Sequence, residues 1–486
     1  MRPVSLKSWR LSFPQMLLLG VFVGVLIRST HQTLRDPDTY MHLTAGQWIL
    51  THLQLPTTDP FSFTKFDQPW MIHEWLSEVI LQVVYQYGGW GGLVTLAALM
   101  FGLTLAYLYR FLLDRTIPIY ALVLCALAFY GLGTHLLVRP HLLTWPILAI
   151  WAGQLIQASE QNRAPSFWLL PLVTLWANLH GGFILGIALI VPFAIESVWI
   201  NKCTHKYRWL SFLLLAIGSS MLTPLGWKGW WLSAHLMSLS SLSTIGEWAP
   251  PGFNTLNPIE LWLILIIALG LLGKMRLSPI RLVMVLLLLH QSLAHGRYIS
   301  IFSLIVPMLI VSSIASEPYA NAKNLRTSWL DVLLAKTTYR PQPIATGLSI
   351  IALCLTGIFF IQTKTYAPAV SITPAAAVTA IESAGIKGHV LNFYNFGAYL
   401  IHRGIPVYID GRADLYGDQH ITAYQAATDL SDPEKTEALL KQQNIAWTIF
   451  PPGESINAYL SRHPAWKKLY QDQNAIVYVR NETGQP

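Results

Sequence analysis

The side chains best suited to chemistry in this sequence lie first near its N-terminus. Asp36 and Asp38 flank a proline, His42 follows one helical turn later, and His73 and Glu74 stand side by side. A carboxylate can take a proton from a hydroxyl group as a general base. Carboxylates and imidazoles can instead bind a divalent ion, with Asp36, Asp38, His42 and Glu74 as candidate ligands. The set suits manganese, magnesium or zinc and its spacing selects none of them, so both chemistries stay open.

A second group of polar side chains is cationic. His135, Arg139 and His141 fall within seven residues, and His295 and Arg297 are two apart. The guanidinium fork of arginine matches the oxygens of a phosphate, and imidazolium groups add charge-assisted hydrogen bonds. These five residues therefore predict phosphate binding, although Arg139 could serve only as an anchor at a membrane interface.

Each remaining candidate has a structural alternative. Asn178 and His180 precede a pair of glycines, where polar side chains often bond across packed helices. Glu247 could be an ordinary loop charge, and Glu74 could cap a helix. Asp36 and Asp38 could likewise serve only to cap a helix. Six residues are predicted to support the site: His42, His73, Glu74, Asn178, His180 and Glu247.

The composition indicates which kind of protein must position these side chains. Of 486 residues, 53% are hydrophobic and 12% are charged, about half the charged share of a soluble domain. This excludes a soluble enzyme and a disordered chain and predicts a multi-pass membrane protein. Net charge is +8, without a lysine or arginine run dense enough to predict nucleic-acid binding. The 3 cysteines contain no CxxC pair that would suggest a metal or redox motif.

About eleven apolar segments have lengths near the ~20 residues that a bilayer requires. They lie at about 11–27, 90–111, 117–134, 142–159, 166–179, 182–200, 209–223, 258–273, 279–294, 298–315 and 343–362. Arg2, Lys7 and Arg10 precede the first, which lacks a cleavage site and is predicted to be a retained anchor. With the N-terminus in the cytoplasm, 16 lysines and arginines lie inside and 7 outside, as the positive-inside rule requires.

This topology brings the candidate side chains to one side. They fall largely in outer loops and turns of a transmembrane domain at residues 1–365, which predicts a site at the outer membrane boundary. The first outer loop, residues 29–75, is predicted to form a helix over Thr39–Leu50 capped by Asp38, and a turn at Asp59-Pro60-Phe61-Ser62. A second helix is predicted over Leu76–Tyr87.

Residues 366–486 are predicted to form a separate domain outside the membrane. Helical patterns alternate with short apolar stretches: the helices at Ala375–Ala384, Pro433–Gln443 and Ile456–Arg462, and the stretches at Val390–Phe393, Val407–Ile409, Ala446–Phe450 and Ala475–Val479. This alternation favours a small α/β domain with a mostly parallel sheet, and ~120 residues suffice for its own core. Asp410-Gly411-Arg412 is interpreted as a tight turn with an internal Asp–Arg pair.

These features together resemble the GT-C superfamily of polyprenyl-phosphate-dependent glycosyltransferases, which have many spans, a first outer loop with an acidic motif and often an outer C-terminal domain. The sequence also resembles a family of bacterial polytopic membrane proteins along most of its length. The matching motifs are Asp36-Pro37-Asp38-Thr39-Tyr40-Met41-His42-Leu43, Asp59-Pro60-Phe61-Ser62, His73-Glu74-Trp75-Leu76, Trp176-Ala177-Asn178-Leu179-His180-Gly181-Gly182 and Asp410-Gly411-Arg412.

The resemblance implies a GT-C-like helical membrane bundle and an inverting sugar transfer in the cytoplasmic (inner) membrane. The donor would be a polyprenyl-phosphate sugar and the acceptor would lie outside the cytoplasm. Asp38 or Asp36 would be the base, and Arg139, Arg297 and the nearby histidines would hold the phosphate. Two alternatives remain: a transporter or flippase of lipid-linked sugars, and a non-catalytic assembly protein. Transporters usually place polar groups near the bilayer midplane, often in repeats, and no clear repeat is present.

Overall fold

The computed structural model describes residues 11–29, 32–240, 246–314 and 342–481. The chain divides into two compact units. The helical unit comprises Met1–Thr30, Gly91–Gly229 and Ser243–Thr365, and the mixed unit comprises His31–Trp90, Trp230–Leu242 and Tyr366–Pro486. The first outer loop, which the sequence assigned to the membrane domain, thus groups with the C-terminal segment.

Helices dominate the part of the chain that is described. Thirteen precede the C-terminal segment: α1 (Phe13–Arg28), α2 (Asp38–His52), α3 (Trp75–Leu113), α4 (Pro118–Gly133), α5 (Pro140–Glu160), α6 (Leu170–Leu179), α7 (Phe183–Ile195), α8 (Lys206–Ser220), α9 (Lys228–Ser238), α10 (Pro258–Leu271), α11 (Pro279–Ala294), α12 (Tyr298–Ile314) and α13 (Pro343–Thr363). Five follow: α14 (Ala375–Ser383), α15 (Gly397–His402), α16 (Ala413–Thr428), α17 (Pro433–Gln442) and α18 (Ser455–Arg462).

Every predicted apolar segment coincides with a helix over most of its length. Within the described residues, four helical stretches are long and apolar enough to cross a bilayer: Trp75–Leu113, Pro140–Glu160, Phe183–Ile200 and Pro343–Thr363. Six further apolar helices have 10–17 residues. A helical membrane fold is therefore supported, while the number of eleven crossings stays a prediction. Arg2, Lys7 and Arg10 lie outside the described residues.

Proline fixes where several of these helices begin. α4, α5, α10, α11 and α13 each have proline as their first residue, where its missing N–H is not needed and its φ already fits a helix. A break near Gly181-Gly182 separates α6 from α7. α6 ends at Leu179, and His180 is extended, with φ −166° and ψ 143°. The Gly182 amide donates to His180 Nδ1 at 2.8 Å, which places this histidine at the corner between α6 and α7.

The mixed unit contains a four-stranded sheet of β1 (His389–Asn392), β2 (Ile445–Phe450), β3 (Trp466–Gln471) and β4 (Ile476–Arg480), in the order β1-β2-β4-β3. Only β1 and β2 are parallel; β4 is antiparallel to both β2 and β3. The predicted mostly parallel sheet is therefore wrong. β3 and β4 are joined by a short turn, which permits only antiparallel pairing, whereas helices connect β1 to β2.

One predicted apolar stretch does not join the sheet. Residues 407–409 are buried, yet their only bridge runs from Val407 to Ser62. The core of the mixed unit explains this contact, because side chains from the first loop pack with the C-terminal segment. Tyr40, Met41, Trp70 and Ile72 share one buried cluster with Val390, Phe396, Trp447 and Val477. The apolar residues of the first loop thus complete the core around the sheet.

Candidate active site

The aspartate pair of the mixed unit lies at the start of α2. The helix begins at Asp38 itself, and Asp36 Oδ1 accepts a hydrogen bond from the Asp38 amide at 2.9 Å. Pro37 therefore occupies the N-cap position predicted for Asp38, and Asp36, which is buried, accepts the amide of the first helical residue. Asp36 orients the first turn, and Asp38 is half-buried on it.

The Asp38 carboxylate lies against the backbone of Gly411. A Cβ atom placed on this glycine would overlap Asp38 Oδ1 and would stand 2.8 Å from Cγ. The predicted pair between Asp410 and Arg412 is observed at 2.7 Å. Arg412 also reaches Asp59 at 2.6 Å, so Asp59 does more than form the predicted turn. Burial opposes the positive charge, but Asp410 and its hydrogen bonds raise the pKa of Arg412 well above its usual value.

Two predicted supporting histidines of the first loop each face a carboxylate. His42 places Nδ1 3.3 Å from Glu78 Oε1. Glu78 is buried, and its Oε2 has no hydrogen-bond partner among the described residues. His73 Nε2 lies 3.7 Å from Glu74 Oε1. Sequence reasoning missed Glu78, although a carboxylate four residues after Glu74 in the first turn of α3 was a signal.

Asp414 is a second carboxylate that sequence reasoning missed. It lies in the first turn of α16. Burial raises its pKa, against the opposing charges of His73 and Arg412. The mixed unit therefore gathers carboxylates from the first loop and from residues 410–414 around a single buried arginine.

A metal site was one of the two predicted chemistries for this cluster. Among the described residues, no group of three or more His, Cys, Asp or Glu side chains is arranged to hold a metal ion. The pairing of His42 with Glu78 gives this imidazole a carboxylate other than Asp36 and Asp38. Divalent-ion binding by Asp36, Asp38, His42 and Glu74 stays a prediction.

The helical unit carries the cationic cluster. Arg139, which precedes α5, donates through Nη1 to Glu247 Oε2 at 2.8 Å. Arg297 Nη1 lies 3.7 Å from Glu247 Oε1, and its guanidinium stacks 4.3 Å from the ring centre of Trp248. Burial alone would raise the pKa of Glu247, but Arg139 and Arg297 outweigh it and lower that pKa to about 2. Two arginines thus share one ionised carboxylate.

Two of the predicted histidines of this unit face backbone carbonyl oxygens, and a third faces a hydroxyl group. His141 Nε2 lies 3.2 Å from the His135 carbonyl oxygen, and His295 Nδ1 lies 2.7 Å from that of Trp248. His135 Nδ1 lies 2.9 Å from Thr134 Oγ1. A ring nitrogen facing a carbonyl oxygen must carry a proton, which fixes the tautomer of the neutral ring. His141 and His295 therefore hold the backbone that carries the two arginines.

Asn178 follows its structural alternative. Its Nδ2 donates to the carbonyl oxygens of Thr174 and Leu222, at 2.8 and 3.0 Å. The second bond ties α6 to the residues after α8, as polar side chains between packed helices do. His180 shares this corner, with its ring centre 6.4 Å from that of His141. The structure therefore brings the two predicted arginines of the helical unit to Glu247 and gives Asn178 a contact between packed helices.

No family model matches the chain. A curated relative, the undecaprenyl phosphate-alpha-4-amino-4-deoxy-L-arabinose arabinosyl transferase of Enterobacter sp. (strain 638), is 27% identical over 232 residues. That alignment covers 43% of this chain and 38% of the relative, so the similarity spans well under half of the relative's length.

Two solved structures have a similar fold. ArnT from Cupriavidus metallidurans, bound to undecaprenyl phosphate, has a TM-score of 0.53 at 13% identity and matches 97% of this chain and 99% of its own. The oligosaccharyltransferase AglB from Archaeoglobus fulgidus, with an inhibitory peptide and a dolichol-phosphate, has a TM-score of 0.52 at 8% identity, over 90% of this chain and 68% of its own. The resemblance to the GT-C superfamily is thus confirmed as one of fold.

Proposed function

We propose that the protein is a GT-C-type integral membrane glycosyltransferase. It transfers a sugar from a polyprenyl-phosphate carrier to an acceptor outside the cytoplasmic membrane. The observation that carries the proposal is the end-to-end fold match to a protein solved with undecaprenyl phosphate. The curated relative is named as a transferase whose sugar is carried on undecaprenyl phosphate. The cytoplasmic membrane, an inside N-terminus and an outside mixed unit belong to the proposal.

The chemistry divides between the two clusters. Asp38 is the general base: its carboxylate takes the proton of the acceptor hydroxyl as that oxygen bonds to the anomeric carbon. The bond from the anomeric carbon to the phosphate oxygen breaks with its electron pair, and polyprenyl phosphate leaves. Arg139 and Arg297 bind this phosphate and stabilise the charge that develops on it. Attack opposite the leaving group inverts the anomeric centre.

The local structure supports these assignments. Asp36 accepts the Asp38 amide, so the base sits on an ordered helix start. Glu247 keeps the two arginines together, and their guanidinium forks match the oxygens of an anionic phosphate. A bound divalent ion would supply further charge for the leaving phosphate.

The test measures undecaprenyl phosphate release in lipid nanodiscs. Purified protein is supplied with a panel of undecaprenyl-phosphate monosaccharides, and bacterial envelope extract provides the acceptor. Asp38→Asn should lower the turnover of the accepted donor by at least ~10²-fold, because an amide cannot take the proton. Asp67→Asn is the control, since Asp67 is an exposed acid of the same loop at φ 59°, which asparagine tolerates.

Two results would contradict the proposal. If none of the donors releases undecaprenyl phosphate, the proposed transferase activity is refuted. If Asp38→Asn keeps full turnover, Asp38 is not the general base. Movement of intact donor between leaflets of a proteoliposome, without cleavage, would instead support the transporter.

A further inference from the structure

The turn Asp410-Gly411-Arg412 lies directly against the Asp38 carboxylate. Gly411 has no side chain, and a Cβ at this position would come within 2.8 Å of Asp38 Cγ and 3.1 Å of Oδ2. Non-bonded carbon atoms normally stay about 3.5–4 Å apart. The φ angle of Gly411 is not among the positive ones. A side chain at this position would therefore displace the Asp38 carboxylate, although the backbone conformation would allow one.

The geometry of this turn is fixed by the Asp410 carboxylate. Oδ1 accepts from the Arg412 amide at 3.0 Å and from Arg412 Nε at 2.8 Å, while Oδ2 accepts from Nη2 at 2.7 Å. Tyr416 OH donates to the same Oδ2 at 2.7 Å. Asp410 is fully buried. Four hydrogen bonds to one buried carboxylate leave Gly411 little room to move.

The same arginine also fixes the first loop. Arg412 Nη1 donates to Asp59 Oδ1 at 2.6 Å, across 353 residues of sequence. Asp59 in turn accepts the amides of Phe61 and Ser62, at 3.0 and 3.1 Å. The guanidinium also lies 4.7 Å from the ring centre of Trp70. Arg412 therefore joins the C-terminal turn to the loop that follows α2.

The segment that enters the turn is held from the other side. Asn392, at the end of β1, accepts from the Tyr408 amide at 3.0 Å and donates to the Ile409 carbonyl oxygen at 2.8 Å. Gly397 packs so closely that a Cβ there would stand 2.9 Å from Asp410 Cα. The sheet and α15 thus hold the backbone on which Gly411 lies.

Stability alone does not require such a network. Apolar side chains of similar size often stabilise a protein as well as a buried ion pair does, and this group keeps two carboxylates for one arginine. The charged groups add a defined geometry, because a bidentate guanidinium holds its partners at set angles. At Gly411, that geometry fixes the backbone that contacts the Asp38 carboxylate.

We propose that Asp410, Gly411 and Arg412 form a positioning turn that sets the location of the Asp38 carboxylate. Arg412 is the positioning residue, and Gly411 makes the contact. The proposal rests on the proposed function, since it assigns the turn to the base of that reaction. A general base must stand within about 2.6–3.2 Å of the proton's donor, and a displacement near 1 Å can lower the rate about 10²-fold.

The first experiment separates turnover from substrate binding. In the nanodisc assay, Gly411→Ala should lower kcat by about 10–100-fold and leave KM for the donor unchanged, because the added methyl group displaces Asp38. Gly453→Ala is the matched control: it lies in the same unit, is exposed, and has nothing within 4 Å of a new Cβ. If Gly411→Ala is not recovered folded, Arg412→Lys serves instead. It keeps the charge, loses the fork and should also lower kcat selectively.

The second experiment does not depend on activity. Gly411→Ala should lower the thermal midpoint of the protein, and Asp38→Ala should remove most of that loss, because it deletes the atoms that the methyl group meets. Such coupling is the signature of direct contact in a double-mutant cycle. Equal losses in the two backgrounds, or a kcat for the folded Gly411→Ala or Arg412→Lys variant equal to that of wild type, would overturn the positioning role. Clear coupling together with full turnover in Asp38→Asn would instead refute the assigned base and leave the contact intact.

Discussion

Both candidate clusters are built from arginines and carboxylates, but the ratio of the two is reversed between them. In the helical unit, Arg139 and Arg297 surround the single carboxylate of Glu247. In the mixed unit, Asp59 and Asp410 surround the single guanidinium of Arg412. Two guanidinium groups thus share one carboxylate in the first cluster, and two carboxylates share one guanidinium group in the second. Only the second is almost completely withdrawn from solvent, since Arg412 is 7% exposed and both of its partners are fully buried.

The two arrangements are suited to different tasks. Guanidinium groups at a partly exposed site can bind an anion that replaces water there. A carboxylate that is buried away from solvent cannot reach a ligand, so its hydrogen bonds serve to hold backbone in place. The cationic cluster is therefore suited to binding, and the network at Arg412 is suited to positioning the carboxylate beside it.

The largest effect is expected from removing the charge of Arg412, which lies between the buried carboxylates of Asp59 and Asp410. Arg412→Met should lower the free energy of unfolding of the mixed unit by about 3–5 kcal/mol, because two buried carboxylates lose their partner. Arg403→Met is the control: its pair with Glu382 is much more exposed, at 34% and 46%, and should contribute below ~1 kcal/mol. Chemical unfolding followed by intrinsic fluorescence measures both. Similar losses in the two variants would erase the distinction between sealed and exposed pairs.

The two clusters also show which features could be predicted from the sequence. The helices were predictable because apolar segments of bilayer length and first-turn prolines are local signals. The pairing of Asp410 with Arg412 was predictable for the same reason, since only Gly411 separates them. The bond from Arg412 to Asp59 crosses 353 residues and that from Arg139 to Glu247 crosses 108, so spacing carries no signal for either.

Strand prediction failed where burial and hydrogen bonding diverge. Val407–Ile409 has the composition of a strand and is buried, but Asn392 satisfies the neighbouring backbone atoms that a sheet would otherwise pair. The missed strand β3 shows the opposite pattern, because Lys467 and Lys468 are exposed in its middle. β3 pairs with β4 alone, and lysines are common on such edge strands, where they discourage pairing with other chains.

The next effect tests whether the positive cluster binds an anion. Replacing both Arg139 and Arg297 by glutamine should weaken binding of undecaprenyl phosphate by about 10–100-fold, because two charge-assisted contacts to the phosphate are lost. Titration of nanodisc-embedded protein with undecaprenyl phosphate measures the change. Lys228→Gln removes an exposed charge from the same unit and should leave affinity unchanged. If the double variant binds as tightly as wild type, the phosphate is held elsewhere and the two arginines only pair with Glu247.

The smallest effect concerns Glu247, the counter-ion of that cluster. Glu247→Gln should lower the free energy of unfolding by about 1–3 kcal/mol at pH 7, because hydrogen bonds to a charged group are lost. The native pKa of about 2 lies below the ordinary value of 4.5, so this stabilisation is present above pH 4.5 and lost as the pH falls toward 2. Thermal midpoints of the variant and wild type should therefore converge between these pH values. A gap that is as wide at pH 3 as at pH 7 would show that Glu247 acts through packing rather than through its charge.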